Sequence, residues 1–252
     1  MESGEKIPKS QRPSFLYRIP CSHKLSFSIS CNKGDIRRGP AAFIVHLLAY
    51  LFDTRLDFFD WQMDGRIPTN SPLYIHFSHK TLEHFLSHSF RFWNVLDSDC
   101  CKNLMVNILY MHSRAHLYEW DWEKFTVAYF VLDGIYKLSD ILYGKPKNRS
   151  ASFLKKARHK DRIITLCEYY DLAFDQTIIA EIVNLRNNLF HETLWDNSRP
   201  CSKSGESGVR NSRNIIKLNQ RLIPALIGYQ NSFIQSKWWK FGITFPFEKD
   251  KR

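Results

Sequence analysis

The sequence predicts a mainly α-helical fold, a helical bundle preceded by an N-terminal extension or a small α+β subdomain. Two observations support this prediction. From about residue 100 onward, apolar residues recur at helical spacing in four or five successive segments, and residues that start or stop helices separate these segments. In addition, 44% of the 252 residues are hydrophobic and 15% are aromatic, which is enough for a packed core.

The first hundred residues have a weaker pattern. Residues 1–40 are polar and contain a short alternation, KLSFSISC, which favours a tail leading into a short strand or loop. Apolar residues surround most of segment 41–59, as in a buried helix. Residues 73–77 (LYIHF) are typical of a short strand, and residues 81–93 have helical spacing. We therefore assign residues 1–94 to an accessory region of unknown function.

The helical domain is predicted at residues 95–236, followed by a C-terminal tail at residues 237–252. Within this domain Asp175 is an N-cap candidate, Gly144 ends a helix, and Pro224 is expected to interrupt the last one. The predicted helices lie at residues 100–118, 121–143, 157–170, 176–195 and 215–233. A series of helices joined by short connections is typical of a bundle.

Positive charge dominates the chain and is concentrated in one segment. The formal net charge is +11 and the isoelectric point is near 9.4, which favours a polyanionic partner such as nucleic acid or an acidic membrane surface. Residues 145–162 are either a solvated loop and helix start or a surface that follows a phosphate backbone. The candidate RNA-binding residues in this segment are Lys145, Lys147, Arg149, Lys155, Lys156, Arg158, Lys160 and Arg162.

Several classes of protein are disfavoured by what the sequence lacks. No run approaches the roughly 18 to 20 apolar residues of a membrane span, and the first residues lack the order of a signal peptide. We therefore expect a cytoplasmic protein with no membrane partner. Neither a GxxxxGK[ST] loop nor a GxSxG nucleophile elbow occurs, which argues against a nucleoside triphosphatase and against a serine hydrolase.

Metal-binding patterns are weak. The six cysteines are scattered, so we expect reduced thiols. Residues at spacings that could bind zinc are Cys21, His23 and Cys31, and the pairs His84–His88 and His112–His116. The first group lacks a fourth ligand, and neither histidine pair has the HExxH pattern. We interpret both pairs as surface or helix-packing residues, and we expect neither a metal nor a cofactor.

The segment LRNNLFHETLW, residues 185–195, places polar residues where helix packing favours leucine or alanine. Arg186 falls inside the apolar arc of an ideal helix, where an unpaired guanidinium is very costly, so it must be paired, reach solvent or line a polar cleft. Asn187 and His191 lie one turn apart and can touch. Arg186 and His191 are about 140° apart on an ideal helix. We therefore expect that a second copy of the helix, or a break in it, is needed for them to meet on one ligand.

The string Arg186-Asn187-x-x-x-His191 resembles the R-x4-6-H motif of the HEPN superfamily (higher eukaryotes and prokaryotes nucleotide-binding domains), in which a polar residue, often Asn, commonly follows the Arg. The preceding segments WEKFTVAYFVLDGIYKLSD and DRIITLCEYYDL resemble the Apea-like HEPN group, and the resemblance covers about residues 95–235. It implies an all-α homodimer whose motif helices face each other, and a metal-independent endoribonuclease. By that resemblance Arg186 and His191 from both subunits line one composite cleft as catalytic residues, with Asn187 helping to orient His191. A role as a toxin or phage-defence effector, with an antitoxin or regulatory partner, is a further implication.

The chemistry of these residue types agrees with RNA cleavage. Attack by the ribose 2′-hydroxyl needs proton transfer by a group that titrates near neutrality, such as histidine, and a cation over the phosphate, such as arginine. Whether His191 acts as base, acid or hydrogen-bond donor stays open. Two alternatives also remain: a non-catalytic RNA- or nucleotide-binding HEPN domain, and a helical protein-interaction module. An Arg186 that is buried and paired with Glu181, with Glu192 or with a residue of another helix would favour the interaction module.

Overall fold

Seven helices form the regular structure in the part of the chain that the computed structural model describes, residues 39–53, 75, 77–143, 158–200, 205–240 and 246–249. They are α1 Pro40–Phe52, α2 His79–Val95, α3 Asp99–Ala115, α4 Asp121–Tyr143, α5 His159–Tyr169, α6 Gln176–Glu192 and α7 Glu206–Leu226. The described residues contain no β-strand, only isolated bridges that pair Phe77 with Phe247 and Trp195 with Ser198. The prediction of a mainly α-helical fold is confirmed. The strand predicted at 73–77 is reduced, in its described positions, to the single bridge at Phe77.

Local sequence signals explain where several helices begin. Ser78, Ser98 and Asp175 are the N-caps of α2, α3 and α6, and each side chain accepts a hydrogen bond from a backbone N–H of the first turn. Pro40 opens α1, where its fixed φ suits the helix and its missing N–H has no helical partner to lose. The hydrogen bonds that Asp175 accepts confirm the N-cap predicted at this residue. None of the described helices combines the length and the apolar character needed to cross a membrane.

Most residues of α7 are buried in the core. The helix packs along α4, and its buried residues surround most of its circumference. The buried side-chain nitrogen of Asn219 donates to the Ala128 carbonyl of α4 at 2.8 Å, which gives this donor a partner inside the core. This helix begins at Glu206, earlier than the predicted start at residue 215. Its polar first turns explain why apolar spacing alone did not locate that start.

Pro224 does not interrupt α7, so this prediction is wrong. Proline lacks the N–H that would bond to the carbonyl four residues earlier, which here belongs to Gln220. Tyr50 of α1 donates its hydroxyl to that carbonyl at 2.6 Å, in a buried hydrogen bond. Because a side chain from another helix replaces the missing backbone donor, the helix continues to Leu226.

Residues on both sides of the proposed domain boundary at residue 95 share one hydrophobic core. His46 of α1 meets the Tyr110 ring of α3 edge to face, with ring centroids 5.3 Å apart. At the other end of the chain, Phe247 packs 5.3 Å from the Tyr229 ring and 5.0 Å from the Phe85 ring. The core thus includes residues from the proposed accessory region and from the proposed C-terminal tail.

Three helices, α4, α5 and α6, position the residues of interest. Gly134 of α4 faces α3, where an added Cβ would lie 3.0 Å from Ile108 Cγ1, so the glycine permits a close approach of these helices. Helix α5 packs on α6, and α6 contacts both α4 and α7. This packing brings the middle of α4, the start of α5 and the end of α6 together.

Candidate active site

Arg186 and His191 lie near the end of α6. Buried apolar residues form the core side of this helix: Ile179, Ile182, Leu185 and Leu189. Arg186 is half-buried, whereas His191 is exposed. The helix is regular to Glu192, and Thr193 follows in the left-handed conformation with φ 58°. His191 therefore lies in the last turn, where its side chain reaches solvent.

The two motif residues meet within a single chain. Arg186 Nη1 lies 2.9 Å from His191 Nε2 and also donates to Asn187 Oδ1 at 3.1 Å. A guanidinium only donates hydrogen bonds, so His191 accepts at Nε2 and carries its proton on Nδ1. The long arginine side chain spans the angular separation without a break in α6, so the expectation that a second helix or a helix break is needed is wrong. Asn187 contacts Arg186 rather than His191, and it therefore orients the guanidinium.

Aromatic rings hold the Arg186 guanidinium. Its central carbon lies 5.8 Å from the ring centroid of Tyr129 and 5.1 Å from that of Phe190. Both distances are within the range of cation–π attraction. Arg186 Nε is buried and has no hydrogen-bond partner among the described residues. The rings thus fix the position of the cation without neutralising its charge.

No carboxylate in the described ranges forms an ion pair with Arg186. Glu181, one of the two glutamates considered as its partner, binds Arg210 at 2.8 Å and Asn211 at 3.2 Å, both on α7. Glu192, the other, is exposed. The contact that would favour a purely structural arginine is therefore not found in this part of the chain, and the charge of Arg186 is available to an anion.

A tyrosine and a histidine from neighbouring helices extend the cluster. Tyr129 of α4 is buried, and its hydroxyl lies 3.0 Å from Nδ1 of His159, the first residue of α5. Burial raises the pKa of Tyr129, and Asp133 acts in the same direction, so the phenol stays protonated. Burial lowers the pKa of His159, and the charge of Arg186 lowers it further. Both shifts keep these two side chains uncharged near neutral pH.

Asp133 and Arg162 add one negative and one positive charge to the cluster. Partial desolvation raises the pKa of Asp133, although His159, Arg162 and Arg186 oppose this shift. The Arg162 guanidinium lies over the Tyr136 ring, 5.2 Å from its centroid. The cluster therefore combines two guanidinium groups, two imidazoles and one carboxylate.

The last part of the basic segment adjoins this cluster. Arg158 is the exposed N-cap of α5, Lys160 is half-buried, and the positive charge of Arg162 opposes the rise in the pKa of Tyr129. The remaining candidates lie outside the described residues: Lys145, Lys147, Arg149, Lys155 and Lys156. For the residues that are described, the start of α5 brings positive charge to the edge of the site.

Two exposed aromatic rings lie parallel to each other at this cluster, and one of them, Phe190, contacts the Arg186 guanidinium. Phe130 is 52% exposed and Phe190 is 36% exposed. Their rings are parallel to within 2°, with centroids 6.2 Å apart. Phe190 also meets the Tyr129 ring edge to face at 6.1 Å. Exposed parallel rings next to a cation form a surface on which a planar base can stack.

The histidine pair of α2 packs against the end of the chain. His84 Nδ1 lies 3.2 Å from the hydroxyl oxygen of Tyr229, and His88 Nε2 lies 3.1 Å from the carbonyl oxygen of Ile227. Both side chains are half-buried. Their interpretation as helix-packing residues is confirmed.

The histidine pair at the end of α3 lies beside a buried carboxyl group. His112 is buried, and His116 Nδ1 lies 3.1 Å from Asp53 Oδ1. In the described ranges, no group of three or more His, Cys, Asp or Glu side chains is arranged to hold a metal ion. The weak zinc candidate lies outside those ranges: Cys21, His23 and Cys31.

Sequence reasoning did not single out Tyr129, Asp133 or His159 as site residues. His159 lies inside the basic segment, which is the one signal that could have directed attention to it. Tyr129 and Asp133 belong to a helix whose apolar spacing indicates core packing alone. Their proximity to Arg186 depends on how three helices pack together.

Comparison with protein-family models, curated proteins and solved structures found no match for this chain.

Proposed function

We propose that this chain is a metal-independent endoribonuclease of HEPN type. The observation that carries the proposal is the 2.9 Å contact between Arg186 Nη1 and His191 Nε2. It places a permanent cation next to a side chain that can gain and lose a proton, at an exposed position. Because no carboxylate among the described residues pairs with Arg186, a phosphate group of RNA would serve as its counter-ion.

Each residue has a definite role in the proposed reaction. The ribose 2′-oxygen attacks the adjacent phosphorus while the P–O5′ bond breaks, which leaves a 2′,3′-cyclic phosphate and a 5′-hydroxyl. Arg186 binds the non-bridging oxygens and stabilises their charge in the transition state. When its Nη1 turns to the phosphate, His191 Nε2 is freed with a lone pair that accepts the 2′-hydroxyl proton. Asn187 holds the guanidinium through its side-chain oxygen.

Neighbouring side chains supply a surface for RNA. Arg158, Lys160 and Arg162 provide positive charge that attracts the phosphate backbone independently of its sequence. Phe130 and Phe190 offer rings for base stacking, a contact worth about 1–3 kcal/mol per base. Single-stranded RNA is the expected substrate, because its bases are free to stack.

Cleavage of labelled single-stranded RNA in EDTA tests the proposal. Wild type is compared with Arg186→Gln and His191→Gln, and with the matched controls Arg210→Gln and His79→Gln. The controls remove the same types of side chain from exposed positions, Arg210 on α7 and His79 at the start of α2. We expect each site variant to lose at least about 10²-fold in rate, and the controls to cleave RNA at nearly the rate of wild type.

Circular dichroism and unfolding midpoints establish that each protein is folded. Folded wild type that leaves RNA intact in EDTA would contradict the proposal, as would equal losses in the site variants and the controls. RNA affinity then separates the two alternatives. A non-catalytic binding domain would bind RNA and lose affinity in Arg186→Gln, whereas an interaction module would not bind RNA.

The proposal includes a homodimer in which two such sites lie in one cleft. Since Arg186 and His191 already meet within one chain, the second copy would extend the RNA-binding surface rather than complete the pair. Sedimentation equilibrium measures the mass in solution, and a monomer that cleaves RNA would contradict this part alone.

The biological part of the proposal is a cytoplasmic toxin or phage-defence effector that an antitoxin or regulatory partner restrains. Cleavage of cellular RNA should stop growth, so the test is expression of wild type and of His191→Gln in a bacterial cell. Growth arrest by wild type alone would support the role. Equal growth of both cultures at matched protein levels would contradict it.

A further inference from the structure

The proposed ribonuclease reaction needs a second proton-transfer group. In an in-line displacement, the entering 2′-oxygen and the leaving 5′-oxygen lie on opposite sides of the phosphorus. An imidazole that accepts the 2′-hydroxyl proton is therefore badly placed to protonate the 5′-oxygen in the same step. We propose that His159 is the general acid that protonates the leaving 5′-oxygen, and that Tyr129 positions it. This inference rests on the proposed function.

Tyr129 connects the two halves of the site. The Arg186 guanidinium lies 5.8 Å from the centroid of its ring, and its hydroxyl lies 3.0 Å from His159 Nδ1. Because the tyrosine is buried between helices, its hydroxyl is fixed and holds the imidazole by one nitrogen. The other nitrogen, Nε2, has no hydrogen-bond partner among the described residues, and it is the one left for the substrate.

The charges that act on His159 come from three helices. Arg162 on α5 and both Arg186 and His191 on α6 disfavour its protonated form, whereas Asp133 on α4 favours that form. A phosphate bound at Arg186 would offset the positive charges and so favour the imidazolium, which is the form that donates a proton. RNA binding would therefore favour protonation of His159 before the 5′-oxygen leaves.

The proton count of the proposed step balances. As the bond from the 2′-oxygen to phosphorus forms and the P–O5′ bond breaks, the 2′-hydroxyl proton passes to His191 and a proton of His159 passes to the 5′-oxygen. No oxidant, reductant or further reactant is required. The imidazoles exchange protonation states, and proton exchange with water restores them.

An RNA with sulfur in place of the 5′-oxygen at the cleavage site tests the acid role, because a thiolate leaves without protonation. Rates on the oxygen and sulfur substrates are measured for wild type, His159→Gln, Tyr129→Phe and His191→Gln. We expect His159→Gln to lose about 10²–10⁴-fold on the oxygen substrate and less than about tenfold on the sulfur substrate. His191→Gln should lose activity on both substrates. Tyr129→Phe keeps the ring that contacts Arg186, and it should show a smaller loss that the sulfur substrate also reverses.

The outcomes separate this inference from the proposed function. His159→Gln that cleaves both substrates as fast as wild type would overturn the acid role and leave the proposed function intact. Equal losses of rate by His159→Gln on both substrates would also overturn the acid role, because the loss caused by removing a merely structural residue is the same for either leaving group. Wild type that cleaves neither substrate would overturn both ideas. If His159→Gln does not fold, Tyr129→Phe on the two substrates decides the question.

Discussion

Replacement of Asp53 by asparagine should change how the stability of the protein depends on pH. Asp53 follows α1 and is only 1% exposed, with Oδ1 lying 3.1 Å from His116 Nδ1. Its backbone is left-handed, with φ 45°, a conformation that asparagine tolerates better than most residues. The substitution therefore removes an ionisable group from the core with little change in shape or backbone.

The sign and size of the effect follow from burial of the carboxyl group. Desolvation raises the pKa of Asp53 from 3.8 to about 7 in the folded protein. Between these pH values the folded state holds a proton that the unfolded state has lost, so the free energy of unfolding falls as pH rises. The pKa of Asp53 rises by about three pH units, and each unit corresponds to about 1.4 kcal/mol, so the effect on the free energy of unfolding is about 4 kcal/mol. Above pH 7 the buried carboxylate lowers the free energy of unfolding by this full amount. Below about pH 4 it has no such effect, because Asp53 is protonated in both the folded and the unfolded state.

The imidazoles of His112, which is buried, and of His116, which is half-buried, have the opposite effect. Burial lowers the pKa of His112 to about 3 and that of His116 to about 4, from 6.5. Both bind protons more readily in the unfolded chain, so their contribution makes the protein more stable as pH rises to 6.5. Because Asp53→Asn retains both histidines, the difference between the variant and wild type reports the titration of the aspartate together with any change in its contact with His116.

Urea denaturation across the range from about pH 4.5 to about pH 8.5 measures this difference. Relative to wild type, the free energy of unfolding of Asp53→Asn should rise with pH by up to about 4 kcal/mol, and by no more than about 1.4 kcal/mol per pH unit. Asp97→Asn is the matched control, because Asp97 is exposed and its replacement also removes one negative charge from a chain of net charge +11. The change seen in Asp97→Asn is subtracted from that seen in Asp53→Asn. If the remaining difference in free energy of unfolding between Asp53→Asn and wild type is flat or falls with pH, the reasoning is refuted.

Three further substitutions test the fold and the RNA-binding surface. Tyr50→Phe removes the donor to the Gln220 carbonyl and should lower the free energy of unfolding by about 1–3 kcal/mol in urea titrations. Tyr50→Phe should cost less in a Pro224→Ala background, because alanine restores the backbone N–H at that position. Equal losses in the two backgrounds would contradict this account. Asp175→Ala should cost about 1 kcal/mol by the same titrations, whereas Asp175→Asn, which can still cap α6, should cost less. Phe130→Ala removes an exposed ring, so the unfolding midpoint should hardly change. Its affinity for single-stranded RNA, measured by fluorescence anisotropy, should weaken by about 1–3 kcal/mol. Unchanged affinity would contradict the proposed stacking.

Sequence by itself determined the fold class and the positions of most helices, because the interactions responsible are local. Asp175 marks the start of α6, since its carboxylate accepts from the N–H groups of Thr177 and Ile178. Arg186 and His191 could be identified for a similar reason. They lie on one helix within two turns, and a guanidinium in an apolar arc is visible as an anomaly without any knowledge of the other helices.

Only the tertiary structure decided how Pro224 is accommodated and how Arg186 meets His191. The donor that replaces the missing N–H of the proline is Tyr50, whose distance along the chain gives no hint of its position in space. Ideal helix angles describe where Cβ atoms lie, but they do not describe where a long arginine side chain ends. The contact of Arg186 with His191 depends on such reach, so angles alone predicted the wrong outcome.

The tertiary structure also decided which residues belong to the candidate site. Tyr129 and His159 approach Arg186 because α4, α5 and α6 pack against one another. Apolar spacing reports which face of a helix is buried, but it carries no information about which other helix covers that face. Capping and spacing act over a few residues and can be read in chain order, whereas contacts between helices arise only when the whole set of buried faces is satisfied at once.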